Sequence, residues 1–326
     1  MNLNPHRPFL RYGILLSTVI IAGFSSAAQL LAREQAAGNA AAAVSFEQSD
    51  SGLQIAVGGQ QIAEYVFDDK EILRPYFRHL RTRSGMLMTR NHPPKKGQDI
   101  DDHPTMHPGL WLAFGDLDGA DFWRNKGQVR HLRFVEKPTD KAGGGSFAVE
   151  NVYEANGRTI CTETCEITIS VQPGGYLLDW RSTFQSKQGF TFGDQEEMGL
   201  GLRVATPLAV IKGGEILDSE GRSNEPNVWG KQAEWCQYSG VVDRRRVGVV
   251  LMPAPKNFRR SWFHARDYGL LVANPFGQNA FTNGEKSKVT VKPDGDFLLR
   301  FGILVYETPV DEPVDIAGLY RKYLEE

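Results

Sequence analysis

Residues 146–171 read SFAVENVYEANGRTICTETCEITISV, and this stretch decides the fold. Asn156-Gly157 separates two runs rich in β-branched and aromatic residues, and Asn-Gly is the dipeptide best suited to the positive φ angles of a tight hairpin turn. Along the second run Ile160, Ile167, Ile169 and Val171 are apolar, and over its latter half they alternate with polar residues, the period of a half-buried strand. The stretch therefore predicts a hairpin of strands over 146–154 and 159–171.

The same grammar continues in both directions. Short β-rich runs at 44–46, 53–57 and 62–67 are punctuated by Ser49-Asp50-Ser51-Gly52 and Gly58-Gly59. A run over 128–135 leads to a turn at Gly143-Gly144-Gly145, and further strands are expected over 176–184, 198–204, 235–241, 247–252, 268–273, 288–292 and 297–306. One helix is expected, at the C-terminus, where Asp315 can cap and Ile316, Leu319, Tyr320, Tyr323 and Leu324 recur at helical spacing. Without βαβ alternation, the pattern predicts an all-β protein: a large antiparallel β-sandwich, one domain over 44–326, with a short C-terminal helix.

The first 28 residues read as a secretory leader, with Arg7 and Arg11 ahead of an apolar run from Gly13 to Phe24 and small residues Ser25-Ser26-Ala27-Ala28 at the cut. Twelve apolar residues are short for a membrane span, so no stable insertion is expected once the leader is removed. The Ala-rich stretch 29–43 reads as a flexible lead-in, and the mature chain as periplasmic or secreted. Lys and Arg number 37 against 39 acids, with no basic stripe, which argues against a nucleic-acid partner. Cys161 and Cys165 lie four apart in one expected strand, too far to bridge; a bridge from either to Cys236 stays open beside three buried thiols.

The chemistry concentrates in a loop, Asp101-Asp102-His103-Pro104-Thr105-Met106-His107-Pro108-Gly109, which runs into Leu110-Trp111-Leu112-Ala113-Phe114. Pro104 and Pro108 exclude a regular helix, so the helical spacing that lets two histidines chelate a metal does not apply. Acid–base or substrate contact by His103 or His107, an iron site with Asp101, Asp102 or Asp116, and a purely structural loop remain open. Asp116-Leu117-Asp118-Gly119 reads as an Asx turn rather than a calcium loop.

Farther on, Asp194, Glu196 and Glu197 precede Gly199, Gly201 and Arg203 in a run whose small residues admit close approach of backbone or ligand. If Glu197 and Arg203 share a face, the arginine would keep the carboxylate ionised, as a general base must be. Strand alternation would set His264, Arg266 and Tyr268 on one face, before a turn at Asn274-Pro275-Phe276-Gly277. His79 joins an aromatic and basic strand over 74–81, and Trp111 is one of six tryptophans that suit sugar stacking or core filling.

Arg74-Pro75-Tyr76-Phe77, Asp102-His103-Pro104 through to Trp111, Phe114-Gly115-Asp116, Asp121-Phe122-Trp123, Trp235 with Tyr238-Ser239-Gly240, and the run from His264 to Gly277 together resemble a bacterial family labelled "methane oxygenase PmoA". The resemblance covers roughly residues 73–324 and implies a metal-dependent oxygenase. Many members carry His-His-Arg after the Asp-His-Pro, where this chain has Thr105-Met106-His107-Pro108, so a role resting on that run does not transfer. More distantly, the architecture resembles the galactose mutarotase-like supersandwich, whose members include aldose epimerases and domains of glycoside hydrolases and lyases. That resemblance implies a histidine acid and a glutamate base, here His103 or His264 with Glu197.

The expectation is an exported carbohydrate-active protein, or else a non-catalytic sugar-binding module or a metal-dependent oxygenase. His103, His107, Glu197 and His264 are the expected catalytic residues, and His79, Trp111, Arg203, Arg266 and Asn274 the substrate-binding ones. A small-molecule or glycan substrate is expected, and no metal or other cofactor is assigned.

Overall fold

In the computed structural model, which describes residues 42–325, seventeen strands pair antiparallel into one hydrogen-bonded run that folds back on itself. The first layer runs through Lys231–Gln232, Trp262–Arg266, Leu270–Asn274, Met198–Arg203, Leu110–Phe114, Tyr76–Arg78, Gln60–Val66 and Gly52–Val57. Ala43–Gln48 forms the corner, pairing with Gly52–Val57 on one side and the end of Gln128–Ala142 on the other. The second layer continues through Gly144–Ala155, Arg158–Gln172, Gly175–Gln185, Asp296–Pro309, Arg245–Pro253 and Cys236–Val242 to Glu215–Asp218. A separate two-stranded ribbon joins Phe190–Phe192 to Val289–Val291.

The hairpin at Asn156-Gly157 forms as its sequence predicts, with Asn156 and Gly157 both at positive φ. The turn expected over 143–145 is tighter: only Gly143 turns, and Gly144 and Gly145 already pair as strand. The strand expected through Tyr268 ends at Arg266, because Gly269 at φ +110 turns the chain back. Two short helices, Asn224–Val228 and Gln278–Thr282, join the expected one at Ile316–Glu325. The leader and most of the lead-in lie outside the described residues, though Ala43 already opens the first strand. Cys161, Cys165 and Cys236 are free, buried thiols. Among the described residues, no helix is long and apolar enough to cross a membrane.

The main core lies between the layers, and period-two alternation sorts side chains into it. Leu110, Leu112 and Phe114 point inward with Leu200, Leu202 and Leu271, while Trp111 and Ala113 take the outer face with Leu270 and Val272. That outer face of the first layer has its own small core, in which Trp111 and Trp123 meet edge-on at 5.2 Å with Tyr76, Val66 and Ile72 around them. Each fully buried indole removes roughly 200 Å² of apolar surface from water, worth about 5 kcal/mol. The loops on either side of Leu110–Phe114 are thus pinned to the sheet by packing. The C-terminal helix covers the opposite face, where Ile316, Tyr320 and Tyr323 pack on Val250, Met252 and Leu304.

Gly201 shows why this strand alternates small and large residues: the Trp111 indole lies flat on it, and a Cβ there would stand 2.5 Å from Trp111 Cζ2. The close approach anticipated for a ligand is made by the protein's own tryptophan. Gly201→Ala is expected to cost about 1–3 kcal/mol by overpacking, which lowers the melting temperature by roughly 2–10 °C. An unchanged melting temperature would show that the indole is not held there.

Candidate functional site

Arg203, fully buried, stands at the end of Met198–Arg203 on the same outer face as Trp111. Its backbone N–H bonds Gly109 O at 2.7 Å. Its guanidinium grips Asp102 through both Nη atoms, Nη1 reaching Oδ2 at 3.1 Å and Nη2 closing on Oδ1. Tyr268 covers it, with the guanidinium 4.5 Å from the ring centroid. A second buried arginine, Arg90, donates to the Asp102 carbonyl at 2.6 Å, to Ile100 O at 2.8 Å and to His107 O at 3.1 Å. Two arginines therefore fix the loop's polar backbone from below.

The prolines do prevent a regular helix, yet one isolated turn forms, with His107 N–H bonding His103 O at 3.1 Å. Pro104 occupies the first position of the turn, where its missing donor costs nothing. That turn stacks the rings. The Trp111 indole lies on the sheet, His107 stacks on it at 5.3 Å and 13°, and His103 on His107 at 4.9 Å and 30°. Tyr268 lies beside His103, nearly parallel, at 6.4 Å. Depth decides roles here: His107 is 2% exposed, whereas the His103 side chain is 41% exposed. His103 is also held at φ +48, a conformation that costs a β-carbon residue free energy and persists only where its surroundings impose it.

His103 Nδ1 lies 2.6 Å from Asp102 Oδ2, an Asp–His pair whose Nε2 is left for solvent or ligand. Burial would raise the Asp102 carboxyl, but hydrogen bonds from Arg203 and His103 outweigh it and hold it at about 2. A permanent carboxylate assigns the proton to His103 Nδ1 and leaves Nε2 as the reactive nitrogen. His107 is different in kind. Burial first, then the Arg203 charge, pushes its pKa down to about 2, and its Nδ1 accepts from Arg203 Nη1 at 3.3 Å.

A second cluster faces the same way, because Leu270 pairs with both Arg203 and Arg266 and so sets the two arginines on one face. His264 Nε2 accepts from Arg266 Nε at 3.1 Å, and its Nδ1–H donates to Glu196 O at 3.3 Å. Burial and then Arg266 lower its pKa to about 4, so it is a neutral buried ring with both nitrogens engaged. Arg266 bonds Glu225 Oε1 at 2.7 Å, and Glu225 and Asp267 cap one another's backbone N–H at 2.9 Å. Arg266 is half-exposed, and the Glu196 carboxylate lies beside it. Tyr268 feels the charges of Arg203, Asp102, Arg266 and Glu225, which places it between the clusters.

Several expected roles change. Glu197 does not meet Arg203; its carboxylate pairs with Arg124, because Arg203 is taken by Asp102. Trp111, Arg203 and Asn274 are fully buried, so they support the face rather than touch a ligand. Asn274 holds backbone, donating to Gln195 O at 2.7 Å and accepting from Phe276 N–H at 2.7 Å. His79 lies among Arg78, Arg81, Lys95 and Glu64, apart from both clusters. Sequence reasoning left Glu196, Glu225 and Arg90 without roles, and weighed Asp102 only as a metal ligand; Arg90 and Asp102 stand near histidines in the sequence, whereas nothing near Glu196 or Glu225 signals a partner. Asp116 does make the expected Asx turn, accepting from Gly119 N–H at 3.1 Å.

Asp102, His103 and His107 bring ligand-type atoms within 4.8 Å of one another, as a two-histidine-one-carboxylate metal site would. The arrangement does not fit a cation. Metal-binding lone pairs lie in the imidazole planes, and here the rings face each other, with the Arg203 cation bonded to Asp102 and His107. A separate hollow of about 330 Å³ is bordered by Phe67, Asp68, Arg74 and His131.

Fold and site together define an antiparallel β-sandwich protein with an Asp–His pair on one outer face. The chain belongs to a family of unknown function, DUF6807, whose model matches residues 52–321. The description of that family names no activity, so the methane-oxygenase label of the resemblance is not shown. No curated protein matches the chain by sequence. Among solved structures, it is similar to an α-galactosidase from Lactobacillus brevis at 8% identity and TM-score 0.42, covering 82% of this chain and 39% of that one. It is also similar to galactose mutarotase-like proteins from Clostridium acetobutylicum (9% identity, TM-score 0.36, 82% and 98% covered) and Lactobacillus casei (9%, 0.34, 81% and 100%). The chain thus spans about two fifths of the α-galactosidase. At these identities and scores the likenesses say nothing about activity.

The buried imidazoles make stability pH-dependent in a defined window. Unfolded histidines take up a proton near pH 6.5, while folded His264 stays neutral down to about 4, so the folded state binds fewer protons between these values. Stability therefore falls as pH drops through that window. His264→Gln should flatten the fall in melting temperature between pH 6.5 and 4; an unaltered slope would mean that His264 is charged when folded. Asp102, with its lowered pKa, acts below this window, stabilising above about pH 4 and losing that contribution as pH falls towards 2.

Proposed function

We propose that this chain is an exported carbohydrate-active protein that uses His103 as general acid or base on a sugar or glycoside. The observation that carries the reading is the exposed His103 imidazole held at 2.6 Å by Asp102, whose carboxylate Arg203 grips and whose backbone carbonyl Arg90 holds. A structural histidine has no need of such support. A ring that must gain and lose a proton at one nitrogen while keeping its orientation does.

In this reading a proton moves at His103 Nε2, and Asp102 steadies the imidazolium formed when the ring accepts it. Tyr268 and Arg266 stand where they can orient hydroxyl groups, and the Glu196 carboxylate is placed to accept from one. Glu196 takes the part expected of Glu197, which is paired with Arg124. The export reading rests on the leader pattern and gives a periplasmic or secreted protein.

A panel of free aldoses and nitrophenyl glycosides tests the proposal. The protein should epimerise or cleave at least one member, and His103→Ala should reduce that turnover at least about 100-fold. The fold should be retained, because the ring stands at the outer end of the column rather than within the core. Unchanged turnover in the variant would overturn the role of His103, and a ligand that stabilises the protein without being converted would make it a sugar-binding module instead.

A further inference from the structure

The charges on this face also bear on which sugars fit. We infer that the site takes an uncharged sugar and turns away uronates and other anionic sugars, an inference that rests on the carbohydrate reading above.

A uronate is recognised by an arginine or lysine whose donors are unused. Arg203, Arg266 and Arg124 are each answered by a carboxylate of the protein, while buried Arg90 donates to the carbonyls of Ile100, Asp102 and His107. Arg203 is held through both Nη atoms by Asp102, Arg266 bonds Glu225 at 2.7 Å, and Arg124 bonds Asp121 at 3.0 Å and also pairs with Glu197. Recruiting one of them for a ligand would strand the carboxylate it now neutralises, some of these groups being buried or half-buried.

One acid on the face lacks a close partner. The Glu196 side chain is 38% exposed, and its carboxylate comes no nearer than 3.7 Å to His264 Nε2 and 3.9 Å to Arg266 Nη2. His264 does not neutralise it, because that ring is buried and its Nε2 accepts from Arg266. The exposed functions are therefore an acceptor at Glu196, donors at Arg266 Nη2 and the Tyr268 hydroxyl, and the His103 ring. That mixture matches hydroxyl groups, which both donate and accept, and a second carboxylate set beside Glu196 would meet like charge.

Matched pairs of methyl glycosides test this on the whole mature protein: glucoside against glucuronide, and galactoside against galacturonide, by isothermal titration at low salt. At least one neutral glycoside should bind, with its uronide at least about tenfold weaker, and raising the salt should narrow the gap. In Glu196→Gln the uronide should gain on its neutral partner. A uronide that binds as well as or better than the neutral sugar overturns this inference and leaves the carbohydrate reading standing. Binding by neither member of either pair, nor by any sugar of the turnover panel, removes the carbohydrate reading and this inference with it.

Discussion

The salt bridge between Arg203 and Asp102 joins the two parts of this protein that bear on function. Arg203 belongs to a central strand of the first layer, and Asp102 to a loop whose two prolines keep it out of the sheet. A buried ion pair is weak evidence of stability, since desolvating both charges offsets much of their attraction. What this one provides is register. It fixes a carboxylate at one point above the sheet, and everything at the surface of the site is measured from that carboxylate.

The ring column depends on the same pair. Trp111 lies on Gly201, His107 on Trp111, and His103 on His107, so the chemistry rises from the sheet in three steps of decreasing burial. Asp102 and Arg203 run along its edge and give each imidazole a different state. The buried ring faces a guanidinium and is neutral, while the exposed ring faces a carboxylate. Two histidines four residues apart thus differ in role because they differ in partner and depth.

The second cluster repeats the logic two strands across on the same face. His264 is sealed between Arg266 and the Glu196 backbone, so it orients the arginine rather than carrying protons. Tyr268, at the turn that ends that strand, screens Arg203 and borders both clusters. The face is a set of internally neutralised pairs with a few donors and acceptors left over.

Local pattern was enough for the strands, because a two-residue period and turn dipeptides such as Asn156-Gly157 act between near neighbours and need no knowledge of the rest of the chain. It was likewise enough to single out the segments around His103 and His264. Partners were another matter: which carboxylate meets which arginine depends on strand order and on the angle at which a loop lies on the sheet, and neighbouring residues carry neither. Glu196 and Glu197 are adjacent, yet one faces His264 and the other pairs with Arg124. The sequence by itself determined an antiparallel β-protein with histidine-bearing loops. Only the tertiary structure decided that Asp102 supports His103 and that Arg203 is buried beneath them, because charges a hundred residues apart choose partners by distance in space.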